Sequence, residues 1–364
     1  MTNSLTKPGR WVPLVAAGAA LLTAGAVLPA QAAERPESAA AAAAAHRPID
    51  REALQKALGT LPDGVFSGAM ARVGGRDGRW TGAAGNVSAD PDASFRIGSI
   101  TKLFTTTIAL QLMAEGRLAM DTPVQEVLPG TLPAHWAPIT IEQLLSHTSG
   151  LPRPACYEQG RSYTPAEFVK TLTECPEAGE PVTGEQITQV YMGANYHLLG
   201  MVIEKVTGRT YTEELNRRII RPLGLRHTYL PQAGDTSMPA GALADLPPAD
   251  PWAWAEGGMV SNAADLERFL TSLLRGRLLP PDRQKLLFEM PRHAERGFSR
   301  AGVQYYKLAD GTEIWGKTGS YGGFTSGAFA TRDQRRSLVY ATVPVTGDQK
   351  ALFERQVALA DAAF

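Results

Sequence analysis

Two cysteines, Cys156 and Cys175, and six histidines scattered between His46 and His293 are the soft metal ligands of this 364-residue chain. None falls at metal-ligand spacing, so no zinc site is expected. Net charge is missing as well. The 36 basic and 36 acidic residues cancel, which argues against nucleic acid as a partner. After residue 32 no stretch stays apolar for the ~20 residues that a membrane span needs. There is no internal repeat. There is also no G-x-S-x-G elbow, which disfavours an α/β-hydrolase.

What is present starts with a leader. Lys7 and Arg10 precede a run of Ala, Leu, Val and Gly from Trp11 to Leu28, and Ala30-Gln31-Ala32 supplies a small-x-small cleavage site. Residues 1–32 therefore read as a secretory signal, with a retained anchor as the alternative. No cysteine lies near the cleavage point, so a lipoprotein is not expected. Cleavage removes two bases and no acid, leaving two more acids than bases. Residues 33–50, with the Ala-rich stretch Ser38–Ala45 between Pro36 and Pro48, read as a tether. In an exported protein an even cysteine count suggests a Cys156–Cys175 disulfide, two free thiols being the alternative.

Residues 51–364 suffice for one large domain or two subdomains. Strand patterns occupy both ends. Val65–Val73 and Trp80–Ala84 flank a glycine-rich turn, and Gln304–Leu308, Glu313–Lys317, Thr325–Ala330 and Ser337–Val343 come late. Helical patterns lie between them. Phe104, Ile108 and Leu112 recur every four residues before Gly116, and Ile139–Leu145, Pro165–Thr173, Tyr196–Thr207, Tyr211–Ile220 and Ala263–Leu274 follow, with a last helix over Gln349–Ala362. The layout is an α/β fold. A sheet is assembled from both chain ends and flanked by helices, and residues 116–250 form a mostly helical inserted subdomain.

Ser99-Ile100-Thr101-Lys102 carries the first chemical signal. Residues three apart share a helix face, so the Lys102 amine can lie beside the Ser99 hydroxyl and activate it as a nucleophile. Taken alone, the tetrad reads first as an N-cap. Gly316-Lys317-Thr318-Gly319-Ser320 ends a late strand. A lysine or threonine on an edge strand facing a cleft can bind a carboxylate, and glycine permits close approach of a substrate to the backbone. S-x-x-K with a later K-T-G is the signature of penicillin-binding proteins and class A β-lactamases.

With these two motifs the chain resembles the serine β-lactamase-like superfamily, most closely the exported D-alanyl-D-alanine carboxypeptidases of streptomycetes and the class C β-lactamases. Leu144-Leu145-Ser146-His147-Thr148-Ser149-Gly150-Leu151, Asn195-Tyr196-His197-Leu198-Leu199-Gly200 and Gly257-Gly258-Met259-Val260-Ser261-Asn262 extend the resemblance from Phe66 to the C-terminus. It implies a β-lactamase/transpeptidase-like fold and an acyl-enzyme on Ser99. Lys102 then eases loss of the serine proton, and Tyr191 passes that proton to the leaving group. The backbone N–H groups of Ser99 and Ser320 form an oxyanion hole, and Lys317, Thr318, Gly319 and Ser320 bind substrate. Ser146-His147 is implied to be structural.

The central motif departs from the family. It reads Tyr191-Met192-Gly193, with glycine where the family carries asparagine; a shift of register onto Asn195 would break the match that follows. Gly193 is expected to weaken amide binding and to leave room for a bulkier acyl group. Arg300 and Lys307 are the candidates for carboxylate binding, and Trp252 or Trp254 either lines the pocket or packs in the core. The reading is a secreted, monomeric serine D-Ala-D-Ala carboxypeptidase acting on small peptides, needing no cofactor or metal and free of the membrane after signal removal. The alternatives are a class C-like β-lactamase, an esterase or acyltransferase, and a non-catalytic penicillin- or wall-binding protein.

Overall fold

The computed structural model describes residues 48–364, except 159–160, 185–186, 233, 236, 238–240, 247–252 and 293–296. The leader, the Ala-rich stretch and Trp252 lie outside the described residues. The chain order is α1 (Arg51–Leu58), β1 (Phe66–Gly75), β2 (Trp80–Gly85), β3 (Ser94–Arg96), α2 (Thr101–Ala114), α3 (Val124–Val127), α4 (Ile141–Leu145), α5 (Pro165–Thr173) and α6 (Ala194–Thr207). Then come α7 (Tyr211–Leu215), α8 (Arg221–Leu223), α9 (Trp254–Gly257), β4 (Val260–Asn262), α10 (Ala263–Leu274), α11 (Pro281–Gln284), β5 (Gln304–Lys307), β6 (Glu313–Tyr321), β7 (Phe324–Thr331), β8 (Arg336–Pro344) and α12 (Gln349–Ala363).

Six antiparallel strands form one sheet in the order β2-β1-β8-β7-β6-β5. The first and last strands of the chain meet at its centre, where Met70 pairs with Ala341 and Val73 with Leu338. All of β8 is buried except Pro344, because both faces of the sheet are covered and a strand covered on both faces reads as a continuous apolar run. On one face Leu54 and Leu58 of α1 and Leu359, Ala360 and Ala363 of α12 pack on Ala69, Ala71, Leu338 and Tyr340. The main core lies on the other face and centres on α2, buried from Thr101 to Leu110. Phe104 of α2 stacks on Phe269 of α10 with ring centroids 3.7 Å apart.

Between residues 116 and 250 the described elements are helices and irregular chain, with no β-pairing among the described residues beyond isolated bridges such as Pro123–Thr140. Sequence signals set the helix starts here. Thr140 with Gln143 and Thr164 with Glu167 form capping boxes, each satisfying two donors that a helix N-terminus otherwise leaves unpaired. Cys156 and Cys175 form a disulfide that ties the chain before α5 to the chain after it.

Candidate active site

Ser99 lies in a single 3-10 turn, Gly98–Ile100, that runs from β3 directly into α2. Two glycines allow this turn to touch β6. Gly98 adopts φ 51°, and a Cβ there would fall 2.5 Å from the Ser320 nitrogen; a Cβ on Gly319 would fall 2.0 Å from the Ile97 carbonyl oxygen. Real side chains do not tolerate such distances, so both glycines are needed to bring the Ser99 turn against the 319–320 backbone. β5 pairs with β6 only from Glu313 to Gly316. The outer edge of Lys317–Tyr321 is therefore left without ladder pairing to β5, although β6 as a whole is not an edge strand.

One turn into α2, the fully buried Lys102 donates to Ser99 Oγ at 3.2 Å. It also donates to the Glu256 carbonyl at 2.7 Å and to Glu256 Oε2 at 2.5 Å. Tyr191 lies between two ammonium groups, with Lys102 Nζ 5.1 Å and Lys317 Nζ 4.7 Å from its ring centroid. Behind it the rings of His147 and Phe298 pack at 4.5 and 5.4 Å. The buried Tyr191 hydroxyl lies within interaction range of Ser99, Lys102 and Lys317.

Charge decides the protonation states. Burial favours the neutral phenol of Tyr191, but the two lysines outweigh burial and hold its pKa below the ordinary tyrosine value. Burial likewise disfavours the Lys102 ammonium, but Glu256 and Tyr191 reverse the sign and raise its pKa. Lys102 is thus held as a cation. Burial and the Lys102 charge lower the Lys317 pKa, with Tyr191 opposing. The carboxyl of Glu256 would be raised by burial, yet Lys102 keeps it below its ordinary value.

His147 is not a catalytic partner for Ser146. Its Nδ1 faces the Met192 N–H at 3.3 Å and the Asn195 amide at 3.2 Å. Burial, with Lys102 and Lys317 adding to it, pushes its pKa well down. Ser146 Oγ bonds the Glu142 carbonyl and Thr148. Asn195 is spent on Ser149 and His147, so the register Tyr191-Met192-Gly193 stands.

Three expectations need correction. The space that Gly193 was to leave open is filled: a Cβ there would meet Glu256 Oε2 at 2.6 Å and Cδ at 2.8 Å. Arg300 is committed to Glu142 through two bonds and to Glu289 through a third. Lys307 pairs with Glu313, three positions along the ladder from Gly316, roughly 10 Å further from the site at about 3.3 Å per residue. Trp254 resolves toward packing, its ring meeting Tyr211 and His197 at 5.3 and 6.4 Å. Thr318 does reach the site, but its N–H and hydroxyl both donate to Gln304 Oε1, at 2.9 and 3.0 Å. Lys317 Nζ reaches the same oxygen at 3.4 Å and the Thr318 carbonyl at 3.0 Å. Ser320 is exposed beside them.

Sequence reasoning missed Glu256 and Gln304. Glu256 had a signal, being an acid directly before the matched Gly257-Gly258 stretch; Gln304 had none. A separate cavity of about 760 Å³ between the Pro123–Pro138 segment and α5 shares no residue with this cluster.

The family model described as Beta-lactamase matches residues 32–361. The chain belongs to the beta-lactamase family. This family member superimposes on a D-stereospecific amidohydrolase from Streptomyces sp. with a TM-score of 0.75 and 34% identity, covering 86% of this chain and 98% of that one. It shares the fold of the D-amino acid amidase of Ochrobactrum anthropi, with a TM-score of 0.71, 23% identity and coverage of 85% and 97%. Penicillin-binding protein 4 of Amycolatopsis lactamdurans is 34% identical over 39% of this chain and 37% of its own length. Protein flp of Staphylococcus aureus is 28% identical over 56% and 42%. The chain thus spans about two fifths of the length of these two curated relatives.

Proposed function

We propose that this beta-lactamase family hydrolase is an exported D-stereospecific amidohydrolase that works through an acyl-enzyme on Ser99. The observation that carries the reading is Tyr191 set between two buried ammonium groups beside a serine already contacted by Lys102. Because Lys102 stays protonated, the Tyr191 phenolate is the base. It takes the Ser99 proton as Oγ attacks the acyl carbonyl, and returns it to the departing amine. The backbone N–H groups of Ser99 and Ser320, brought together by Gly98 and Gly319, stabilise the tetrahedral oxyanion, a contribution of about 3–4 kcal/mol in comparable sites. Water then repeats the cycle on the ester. No cofactor enters any step.

D-amide specificity is supported by the Streptomyces amidohydrolase, whose likeness covers nearly the whole of both chains. The narrower carboxypeptidase reading draws less support. A free C-terminal carboxylate asks for donors, and both Thr318 donors go to Gln304 while Arg300 is held by two glutamates. Export is supported by the character of residues 1–32 and by the disulfide, which persists in oxidising compartments.

The test is an intact-mass and turnover comparison of wild type and Ser99→Ala with D- and L-phenylalanine amide and with benzylpenicillin. D-amide hydrolysis that needs Ser99, without matching L-amide turnover, is the expected result. Consumption of benzylpenicillin with no amide turnover refutes the amidohydrolase reading in favour of a β-lactamase.

A further inference from the structure

Gly193 and Glu256 are two halves of one substitution. They are 63 positions apart in sequence, yet a Cβ on Gly193 would lie 2.6 Å from Glu256 Oε2, 2.8 Å from Cδ and 3.0 Å from Oε1. A side chain at 193 would have to displace this carboxylate, which occupies the space where the motif's third side chain would begin. The segment bearing it is locked from several directions. Lys102 holds the Glu256 carbonyl, Thr105 holds the Ala255 carbonyl at 2.6 Å, and Thr101 receives the Met259 N–H at 3.3 Å. The ring of Trp254, a non-glycine residue at φ 39°, packs between α6 and Tyr211.

The exchange changes what the site can say to a substrate. An amide both donates and accepts; an ionised carboxylate only accepts. Glu256 Oε2 is taken by Lys102. Oε1 receives no hydrogen bond from a described residue, and the side chain keeps 19% of its surface exposed beside the nucleophile. A group that only accepts cannot bind the carbonyl of an N-acyl substituent, and it meets that oxygen with repulsion. It matches a donor, best of all a charged one. On the acyl side of a D-amino acid amide the donor available is the α-ammonium. The titratable and charged groups around the carboxylate are Lys102, Lys317, Tyr191 and Tyr157, whose phenol burial keeps neutral with Tyr163 and Glu256 adding to it, and His197, held neutral by burial. With Tyr191 ionised, the two lysines are balanced by two anions, and an incoming ammonium meets no net positive field.

We propose that Glu256, in the space vacated at Gly193, makes this enzyme select acyl groups with a free α-ammonium over N-acylated ones. The proposal rests on the Ser99 acyl-enzyme reading and specifies its substrate class as unblocked D-aminoacyl amides. In this role Glu256 determines specificity, a function separable from its contact with Lys102.

The experiment compares kcat/KM for D-phenylalanine amide and N-acetyl-D-phenylalanine amide in wild type, Glu256→Gln and the double variant Gly193→Asn/Glu256→Ala, with thermal melts to verify folding. Wild type is expected to prefer the free amine by at least ~10-fold, the scale of a hydrogen bond to a charged group. Glu256→Gln should shrink that ratio by about the same factor, and the double variant should favour the acetylated amide. Equal Ser99-dependent turnover of both amides by wild type overturns the inference and leaves the amidohydrolase reading intact. A ratio unchanged in Glu256→Gln, with both rates falling together, also overturns it, since Glu256 would then act only on Lys102. Absence of Ser99-linked acylation by either amide refutes the underlying reading and the inference with it.

Discussion

Replacing Lys317 by methionine tests the assignment of Tyr191 as base. The change keeps a linear side chain in a buried slot and deletes one charge. Lys317 Nζ lies 4.7 Å from the Tyr191 ring centroid. At an effective dielectric constant of ~20 a unit charge at that distance contributes about 3.5 kcal/mol, equivalent to about 2.6 pH units. Lys102 Nζ remains 5.1 Å from the same centroid, and local relaxation will absorb part of the change, so a shift of one to two units is expected. The sign is fixed. The lysines depress the tyrosine pKa, the phenolate is the active form, and activity is lost on acidification through that pKa. Removing a cation therefore moves the acid limb of kcat/KM to higher pH. The assay is kcat/KM for a chromogenic D-phenylalanine anilide between pH 5 and 10, which reports the free enzyme. If kcat/KM falls by one factor at every pH and the limb stays fixed, Lys317 only holds substrate and Tyr191 is not the base.

Three further outcomes test other contacts of the same site and its surroundings. Gly319→Ala places a Cβ 2.0 Å from the Ile97 carbonyl; the forced separation of β6 from the Ser99 turn should cost about 1–3 kcal/mol in stability and at least ~100-fold in kcat/KM, and near-wild-type kinetics would show that the two backbones need not touch. Arg300→Ala breaks the contacts to Glu142 and Glu289, so kcat/KM should stay within about threefold while a melt records a loss of about 1 kcal/mol; a selective rise in KM would restore Arg300 as a substrate-binding residue. Cys156→Ser/Cys175→Ser opens a bridge of sequence separation 19, worth about 3 kcal/mol or about 5 °C in Tm for a domain of this size, with kinetics unchanged; an unaltered Tm would mean that the loop is held by its packing alone.

Most of the architecture was legible in the sequence because periodicity and punctuation agree there. Pro165–Thr173 and Ala263–Leu274 begin and end where cap and pattern put them. Three of the late strands run longer than their sequence patterns, while β5 stops one residue earlier, at Lys307; β6 continues past Lys317 to Tyr321, because its pairing with β7 there is a tertiary fact. α2 shows a four-residue apolar spacing, yet Thr105, Thr106 and Thr107 on its other faces are buried as well. The Thr107 hydroxyl takes the Leu103 carbonyl one turn back, as helix geometry allows, but the Ala255 and Ala301 carbonyls that Thr105 and Thr106 find belong to distant segments, and no helix-face argument could have supplied them.

In the site, residues that act within one turn were legible and residues that act across elements were not. Ser99 and Lys102 share three positions of one helix start, so their contact follows from helix geometry. Gln304 binds Thr318 from the neighbouring strand, and a glutamine in a strand carries no mark of what it will accept. Gly193 was legible as a loss and not as an exchange. A missing side chain in a packed active site leaves either a cavity or a replacement, and a protein interior at crystal-like density favours the replacement. On the proposed exchange Glu256 is that replacement, and it brings a charge that an amide does not have. Burial alone would lower the Lys102 pKa; the Glu256 charge helps raise it instead, which favours the proposed assignment of Tyr191 as the base. One glycine in the motif is thereby connected to the protonation state of the lysine and to the chemistry of the acyl group that the site can hold.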